Sequence, residues 1–243
     1  MEKYGWDVSA EAWIAEQGEA GDFGRRHVLD GPLLERIDAG GWREALDVGC
    51  GEGRFCRLLA ERGVRAVGLD PTKRLLEEAR RRDPAGTYVE GRAEAAPFAD
   101  GAFDLVVAYL TLIDIEDYRA AIREASRVLR PGGGFLIANL TSFNTAGQPR
   151  GWSPGADGAL TFEIDDYLEE RAIRSAWRDM RVVNHHRPLS AYMKALLAAG
   201  LQLRWFDEPA PAGGDPATAA RHRRAPYFLA MEWRKPENGG KAP

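Results

Sequence analysis

Thiols are scarce in this chain: its 243 residues include two cysteines, Cys50 and Cys56, without a Cys-x-x-Cys spacing. That excludes a disulfide-stapled scaffold and a cysteine-based zinc frame, and it matches a reducing, cytoplasmic setting. Histidine is rare too, with four in all. No third ligand stands at metal-binding spacing from the adjacent His185 and His186, so no metal is expected. Long apolar runs are missing, since the best stretch, near 105–115, is too short and too interrupted to span a bilayer. An excess of positive charge is missing as well. Lysine and arginine number 33 against 37 acids, a net charge of -4, so the whole chain offers no electrostatic case for nucleic acid. The run Arg221-His222-Arg223-Arg224 lies among prolines and glycines and reads as a solvated loop. The first residues lack the basic and apolar regions of a secretory signal, so none is expected, and no internal repeat is visible. The chain does have 44% hydrophobic residues, enough for the core of one large domain with an added cap.

The most informative segment is Ala45-Leu46-Asp47-Val48-Gly49-Cys50-Gly51-Glu52-Gly53, an apolar strand running into a glycine-rich turn. Residues 54–62 then read as a helix with Phe55, Leu58 and Leu59 inward, and Val67-Gly68-Leu69-Asp70 as a second strand ending in an acid. This strand–turn–helix–strand–acid order is what a Rossmann-type fold uses to hold an adenosine cofactor. Two features argue against a dinucleotide. The glycines alternate, whereas the dinucleotide fingerprint has a two-residue gap before its last small residue. Asp47 and Glu52 would also confront a pyrophosphate with negative charge, while an ammonium or sulfonium would be tolerated. S-adenosylmethionine is therefore preferred over NAD.

Further motifs follow in order: Gly91-Arg92-Ala93-Glu94-Ala95-Ala96-Pro97-Phe98, Phe103-Asp104-Leu105-Val106-Val107 and Val128-Leu129-Arg130-Pro131-Gly132-Gly133. With these the chain resembles a class I S-adenosylmethionine-dependent methyltransferase of the small-molecule type, from about Ala45 through the final strand. The resemblance implies S-adenosylmethionine as donor and S-adenosylhomocysteine as product. It also implies an α/β, Rossmann-like fold: a mainly parallel seven-stranded sheet with an antiparallel last strand and a small cap insertion.

The residue pattern organises the chain as one domain over 1–243, with a helical arm at 1–40 and a substrate cap at 140–188. Strands are expected near 44–48, 65–69, 87–89, 103–109, 134–139, 201–207 and 227–234, and helices over 53–62, 72–82, 117–129 and 189–199. Pro131-Gly132-Gly133 should end the long helix and turn it toward the next strand. Within the cap, 160–164 reads as a short strand, 165–176 as more helical and 181–186 as a strand. Residues 209–226, rich in proline and glycine, read as a long loop joining an antiparallel hairpin, and the tail after Lys235 as disordered.

Gly49 and Gly51 are expected to bring the turn against the amino-acid part of the cofactor, with Cys50 contributing its backbone. Asp47 either orients that turn, meets the ammonium through water, or caps local backbone donors. Asp70 is the expected ribose ligand, and Pro71 packs near the adenine edge. In the family resembled, 91–94 binds adenine, and an aspartate often stands where this chain has Arg92. Arginine has no acceptor, so Glu94 or a backbone carbonyl takes the adenine amine while the Ala93 or Glu94 amide donates to the ring. An arm arginine, Arg25 or Arg26, meets the methionine carboxylate in the same picture, ordinary surface solvation being the alternative. Tyr109, at a strand end, is expected beside the methionine part or the acceptor. Asp114 reads as a cap or turn residue.

Methyl transfer needs an in-line nucleophile more than a covalent intermediate. A hydroxyl, amine or acidic carbon also needs a base, whereas a carboxylate acceptor needs none. His185 and His186 are the leading proton acceptors, with imidazoles suited to neutral pH. Side chains adjacent on a strand face opposite ways, so one of the two should enter the pocket. A strand-end pair with local hydrogen bonds is the competing reading, and His27 in the arm is a weaker base. Phe143, Trp152, Phe162, Tyr167, Trp177 and Tyr192 are available for an aromatic acceptor pocket. A small organic acceptor is preferred, with O- over N-methylation. The alternatives are an RNA or protein methyltransferase, which would show a basic groove or an uncapped site; a nicotinamide oxidoreductase; and a non-enzymatic cofactor-binding partner protein with a blocked acceptor cavity.

Overall fold

The computed structural model describes residues 3–237. An arm comes first: α1 (Trp6–Gln17), a π-helical turn at Arg25–Leu29, and α2 (Asp30–Gly40). Ala10, Val28, Leu29, Leu33 and Ile37 are its buried apolar residues at helical spacing. The alternating core follows as β1 (Glu44–Val48), α3 (Arg54–Ala60), β2 (Arg65–Asp70), α4 (Lys73–Arg82), β3 (Thr87–Glu90), β4 (Phe103–Tyr109), α5 (Tyr118–Val128) and β5 (Leu129–Leu140). Next come α6 (Ser142–Ala146), β6 (Trp152–Pro154), β7 (Leu160–Phe162), β8 (Arg171–Trp177) and β9 (Met180–His186). The chain closes with α7 (Leu189–Ala198), β10 (Gln202–Asp207), α8 (Pro216–Arg224) and β11 (Phe228–Arg234).

Seven strands form one sheet in the order β10-β11-β5-β4-β1-β2-β3. β1 through β5 pair in parallel, and β11 runs antiparallel to both β5 and β10. Both faces are covered at the central strands β1, β4, β5 and β11, which explains their near-continuous apolar runs. Along β4, Val106 and Ala108 pack with Ile122, Phe135 and Trp233 on one face. Leu105 and Val107 pack with Leu29, Leu33 and Leu59 of the arm and α3 on the other. Strand order reverses on either side of β1, so the crevice for a ligand opens beyond the carboxyl ends of β1, β2 and β4.

Three expectations are corrected. Residues 165–176 are not helical: β8 pairs antiparallel with β9 through a two-residue connection, Trp177 opposite Met180, with Arg178 at φ 48°. The tight turn and the ladder override the helical spacing of that stretch. The basic run near 221 lies on a helix, α8, whose first turn is capped by Asp215 accepting from Thr218 N at 2.7 Å, with Pro216 behind the cap. Finally, Pro131-Gly132-Gly133 is a bulge within β5, where the register against β4 jumps between Phe103 and Leu105. The tail expectation lies, from residue 238 on, outside the described residues.

Candidate functional site

A cavity of about 880 Å³ lies at the carboxyl end of the sheet. Its first wall is the glycine turn after β1. Gly49 and Gly51 hold φ of 68° and 56°, left-handed values at which a Cβ is strained. At Gly49 there is no room either, since a Cβ would sit 2.3 Å from Thr111 Cγ2. Asp70, at the end of β2, ties the turn down. Its Oδ2 accepts from Gly51 N at 2.9 Å and its Oδ1 from Thr72 N at 2.8 Å. Burial raises its pKa, and those two amides oppose the rise. Each oxygen keeps a further lone pair for a ligand hydroxyl. Pro71, Ala93 and Glu94 continue this wall. Arg92 folds back onto Glu94 at 2.6 Å and is mostly exposed.

Asp47, Cys50 and Glu52 are absent from the cavity wall. Asp47 is 1% exposed beneath the turn, where it accepts from Cys56 Sγ at 3.4 Å. Burial, then Glu52 and Asp70, push its pKa up to about 7. Cys50 turns its thiol inward, beside Cys56 and Tyr88. Glu52 lies 3.6 Å from both Arg57 and Arg82. The electrostatic argument against pyrophosphate therefore needs correction. Glu52 has basic partners, Asp47 is screened by the turn itself, and Asp70 is the carboxylate of the three that reaches the cavity.

Opposite stands the loop after β4. Tyr109 packs against Phe55 with the rings tilted by 37° and their centroids 4.8 Å apart, and its hydroxyl donates to Asp30 Oδ1 at 2.9 Å. It borders the cavity with its ring, while its hydroxyl is engaged by the carboxylate that also pairs with Arg54. Burial and Asp30 raise the phenol's pKa well above its usual value, which removes it as a base. Leu110 then takes a left-handed turn, φ 58°, an uncommon conformation for such a residue. It delivers Asp114 into the cavity. Oδ1 of Asp114 accepts from Asn184 Nδ2 at 2.5 Å and Oδ2 from Trp6 Nε1 at 3.1 Å. Burial pushes this carboxyl up to about 7, against those two donors and Arg25. The helix cap nearby is Asp117, not Asp114.

The loop itself is clamped. Arg187, 3% exposed, donates to the carbonyls of Leu112 at 2.8 Å, Ile115 at 2.5 Å and Glu116 at 3.1 Å. Its guanidinium lies 4.2 Å from the Tyr118 ring centroid. Arg25 projects from the arm into the cavity, 4.7 Å from the Trp13 ring centroid and paired with Asp22 at 2.6 Å. Arg26 is not part of the wall. The β8–β9 hairpin closes the far side with Ile173, Val182 and Asn184, and α6 adds Asn144 and Thr145.

Of the residues expected from sequence, Gly49, Gly51, Asp70, Pro71, Ala93, Glu94 and Tyr109 line the cavity; Asp47, Cys50, His185 and His186 do not. The contacts correct the expectation for His186, and His185 lies outside the cavity wall. His186 is 0% exposed, with Nδ1 2.7 Å from Thr145 Oγ1 and Nε2 2.9 Å from the Tyr167 carbonyl. His185 gives its backbone N–H to the Ile113 carbonyl at 2.7 Å. Burial lowers both imidazole pKa values. His27 packs on Phe23, away from the wall. The aromatic wall comes mostly from elsewhere: Trp177 was expected, whereas Trp6, Trp13, Tyr227 and Phe228 were not.

A family model described as a methyltransferase domain matches residues 46–137. The malonyl-[acyl-carrier protein] O-methyltransferase of Salmonella typhimurium is 29% identical over 96% of this chain and 94% of its own. The Serratia marcescens protein of the same name is 39% identical over 55% of this chain and 51% of its own. A crystal structure of an S-adenosylmethionine-dependent methyltransferase from Mesorhizobium loti is 31% identical, covers 85% of this chain and 99% of that one, and superposes with a TM-score of 0.74.

Proposed function

The chain belongs to the S-adenosylmethionine-dependent methyltransferases, and on that footing we propose that it methylates a small organic acceptor held between the glycine turn and the 140–188 cap. One observation carries this reading. A single cavity is bounded by the donor-type wall of Gly49, Gly51 and Asp70 and by side chains of the arm and cap. Its volume of about 880 Å³ lies within the range of sites that enclose a cofactor and a small partner.

The residues present fit the donor. Left-handed Gly49 and Gly51 allow close backbone approach, Asp70 offers acceptor lone pairs to ribose hydroxyls, and Arg25 offers positive charge to the methionine carboxylate. S-adenosylmethionine supplies a methyl group on a sulfonium and leaves as S-adenosylhomocysteine. The protein's part is to align the acceptor, exclude water and neutralise charge. O-methylation is the preferred chemistry; the Salmonella relative of near full-length likeness is named for transfer to oxygen, that of a malonyl carboxylate. An acidic chain and a cavity closed over by a hairpin support a small acceptor over RNA. Among the described residues no helix is long and apolar enough to cross a membrane. The free, buried Cys50 and Cys56 support a reducing cytoplasmic setting.

Calorimetric titration with S-adenosylhomocysteine, beside NAD, tests the donor half. Saturable binding to the first and none to NAD is expected. Asp70→Ala should weaken binding roughly 10- to 100-fold, the worth of about 1.5–3 kcal/mol for one hydrogen bond to a charged group. Unchanged affinity in that variant, or tighter binding of NAD, would refute the assignment.

A further inference from the structure

The cavity holds an acid–base group that the donor half does not use. Four of its charged or phenolic side chains are paired with a charged partner, Asp22 with Arg25, Glu94 with Arg92, Glu16 with Arg178 and Tyr109 with Asp30, while Asp70, held by two backbone amides, is taken by the ribose in the donor reading. Asp114 differs. Two neutral donors from separate elements hold its carboxylate, Trp6 of α1 and Asn184 of β9. Its backbone is fixed by a turn to the Thr111 carbonyl at 2.9 Å and by the Arg187 clamp on its neighbours. Such a carboxylate is oriented without being neutralised, and its remaining lone pairs are free to accept a proton.

We infer that Asp114 is the proton acceptor for the methyl-accepting group, and that the acceptor is therefore a hydroxyl or amine, unlike the carboxylate of the malonyl group for which the Salmonella relative is named. This rests on the methyl-transfer reading above. In the step, the acceptor's lone pair forms the new bond to the methyl carbon, the C–S electron pair stays on sulfur, and the acceptor's proton passes to the Asp114 carboxylate and then to solvent. A carboxylate acceptor has no proton to give, and beside Asp114 it would face like charge.

Of the charged groups sharing the cavity with Asp114, Arg25 favours its ionised form and Asp70 opposes it; Asp7, Glu16, Asp22, Arg92, Glu94 and Arg174 line the same space. With the carboxyl raised to about 7, activity should climb as pH rises through neutrality.

The test supplies the full-length chain and S-adenosylmethionine with a panel of phenols, aliphatic alcohols, primary amines and carboxylic acids, and follows S-adenosylhomocysteine release. At least one hydroxyl or amine should be methylated. Asp114→Asn should lower kcat by about 10²–10⁴-fold, abolish the limb near neutrality, and leave S-adenosylhomocysteine affinity within about threefold. Trp6→Phe, which removes one donor to the ionised form, should move that limb to higher pH. Independently of turnover, infrared difference spectra should show two carboxyl groups titrating near 7, Asp47 and Asp114, of which Asp114→Asn keeps only the first. Methylation of carboxylic acids alone, no methylation of any hydroxyl or amine, wild-type turnover by Asp114→Asn, or an infrared titration unaltered in it would each overturn the inference. Failure of the wild-type chain to bind S-adenosylhomocysteine would instead overturn the methyl-transfer reading.

Discussion

Replacing Gly49 with alanine perturbs the turn in two separable ways. The backbone there has φ 68°, and a Cβ in the left-handed region costs about 1–2 kcal/mol. The new methyl would also lie 2.3 Å from Thr111 Cγ2 and 2.6 Å from its Oγ1, far inside the roughly 3.5–4.0 Å of an ordinary carbon contact. Overpacking of this kind costs about 1–3 kcal/mol. Gly49→Ala should therefore destabilise by about 2–5 kcal/mol, at about 2–4 °C of Tm per kcal/mol for a chain of this size. Thr111→Ala removes both clashing atoms and leaves the Thr111 Cβ at 3.0 Å. The double variant should then recover the packing share of about 1–3 kcal/mol and keep the backbone share. Urea unfolding of the four proteins at constant m measures this coupling. Strict additivity of the two single effects would refute the steric argument, and wild-type stability of Gly49→Ala would refute both parts.

Two more predictions concern what lies behind the cavity. Asp47 has its folded-state pKa raised to about 7, so the folded protein holds this proton more tightly than the unfolded chain. Its favourable contribution is complete below the usual carboxylate range and is lost as pH rises through about 7. Asp47→Asn should thus gain stability relative to wild type as pH rises from about 4 to 8, read as the difference in urea midpoints. A constant difference across that range would show that the group is ionised throughout. Arg187→Lys replaces a planar fork with a point charge and leaves at least one carbonyl of the 112–116 loop without a donor. At about 1–3 kcal/mol for each unsatisfied group, a loss of about 2–4 kcal/mol is expected in urea unfolding. A loss under 1 kcal/mol would mean that water replaces the clamp.

The residues whose place in the fold the sequence anticipated are those set by near neighbours. The apolar strand at 45–48, the glycines after it and the acid of β2 lie in one strand–turn–strand unit, and both sheet faces being buried makes each central strand an apolar run. The α8 helix had a local signal as well, Asp215-Pro216 at cap and first-turn positions. It was masked by the surrounding prolines and glycines. The histidines and Asp114 behaved differently. His186 is engaged by residues 41 and 19 positions away, and Asp114 by residues 70 and 108 away. Nothing in their flanking residues distinguishes a free imidazole from a satisfied one, or a turn carboxylate from one held inside a cavity.

By itself, then, the sequence determined the sheet, the places of its strands apart from the start of β5, and the glycine turn after β1, because hydrophobic period and backbone conformational preference act over a few residues. Only the tertiary structure decided which acid–base group lines the cavity. That choice is made where α1, the loop after β4 and β9 converge, and burial and hydrogen bonding among segments distant in the chain assign each polar group its partner.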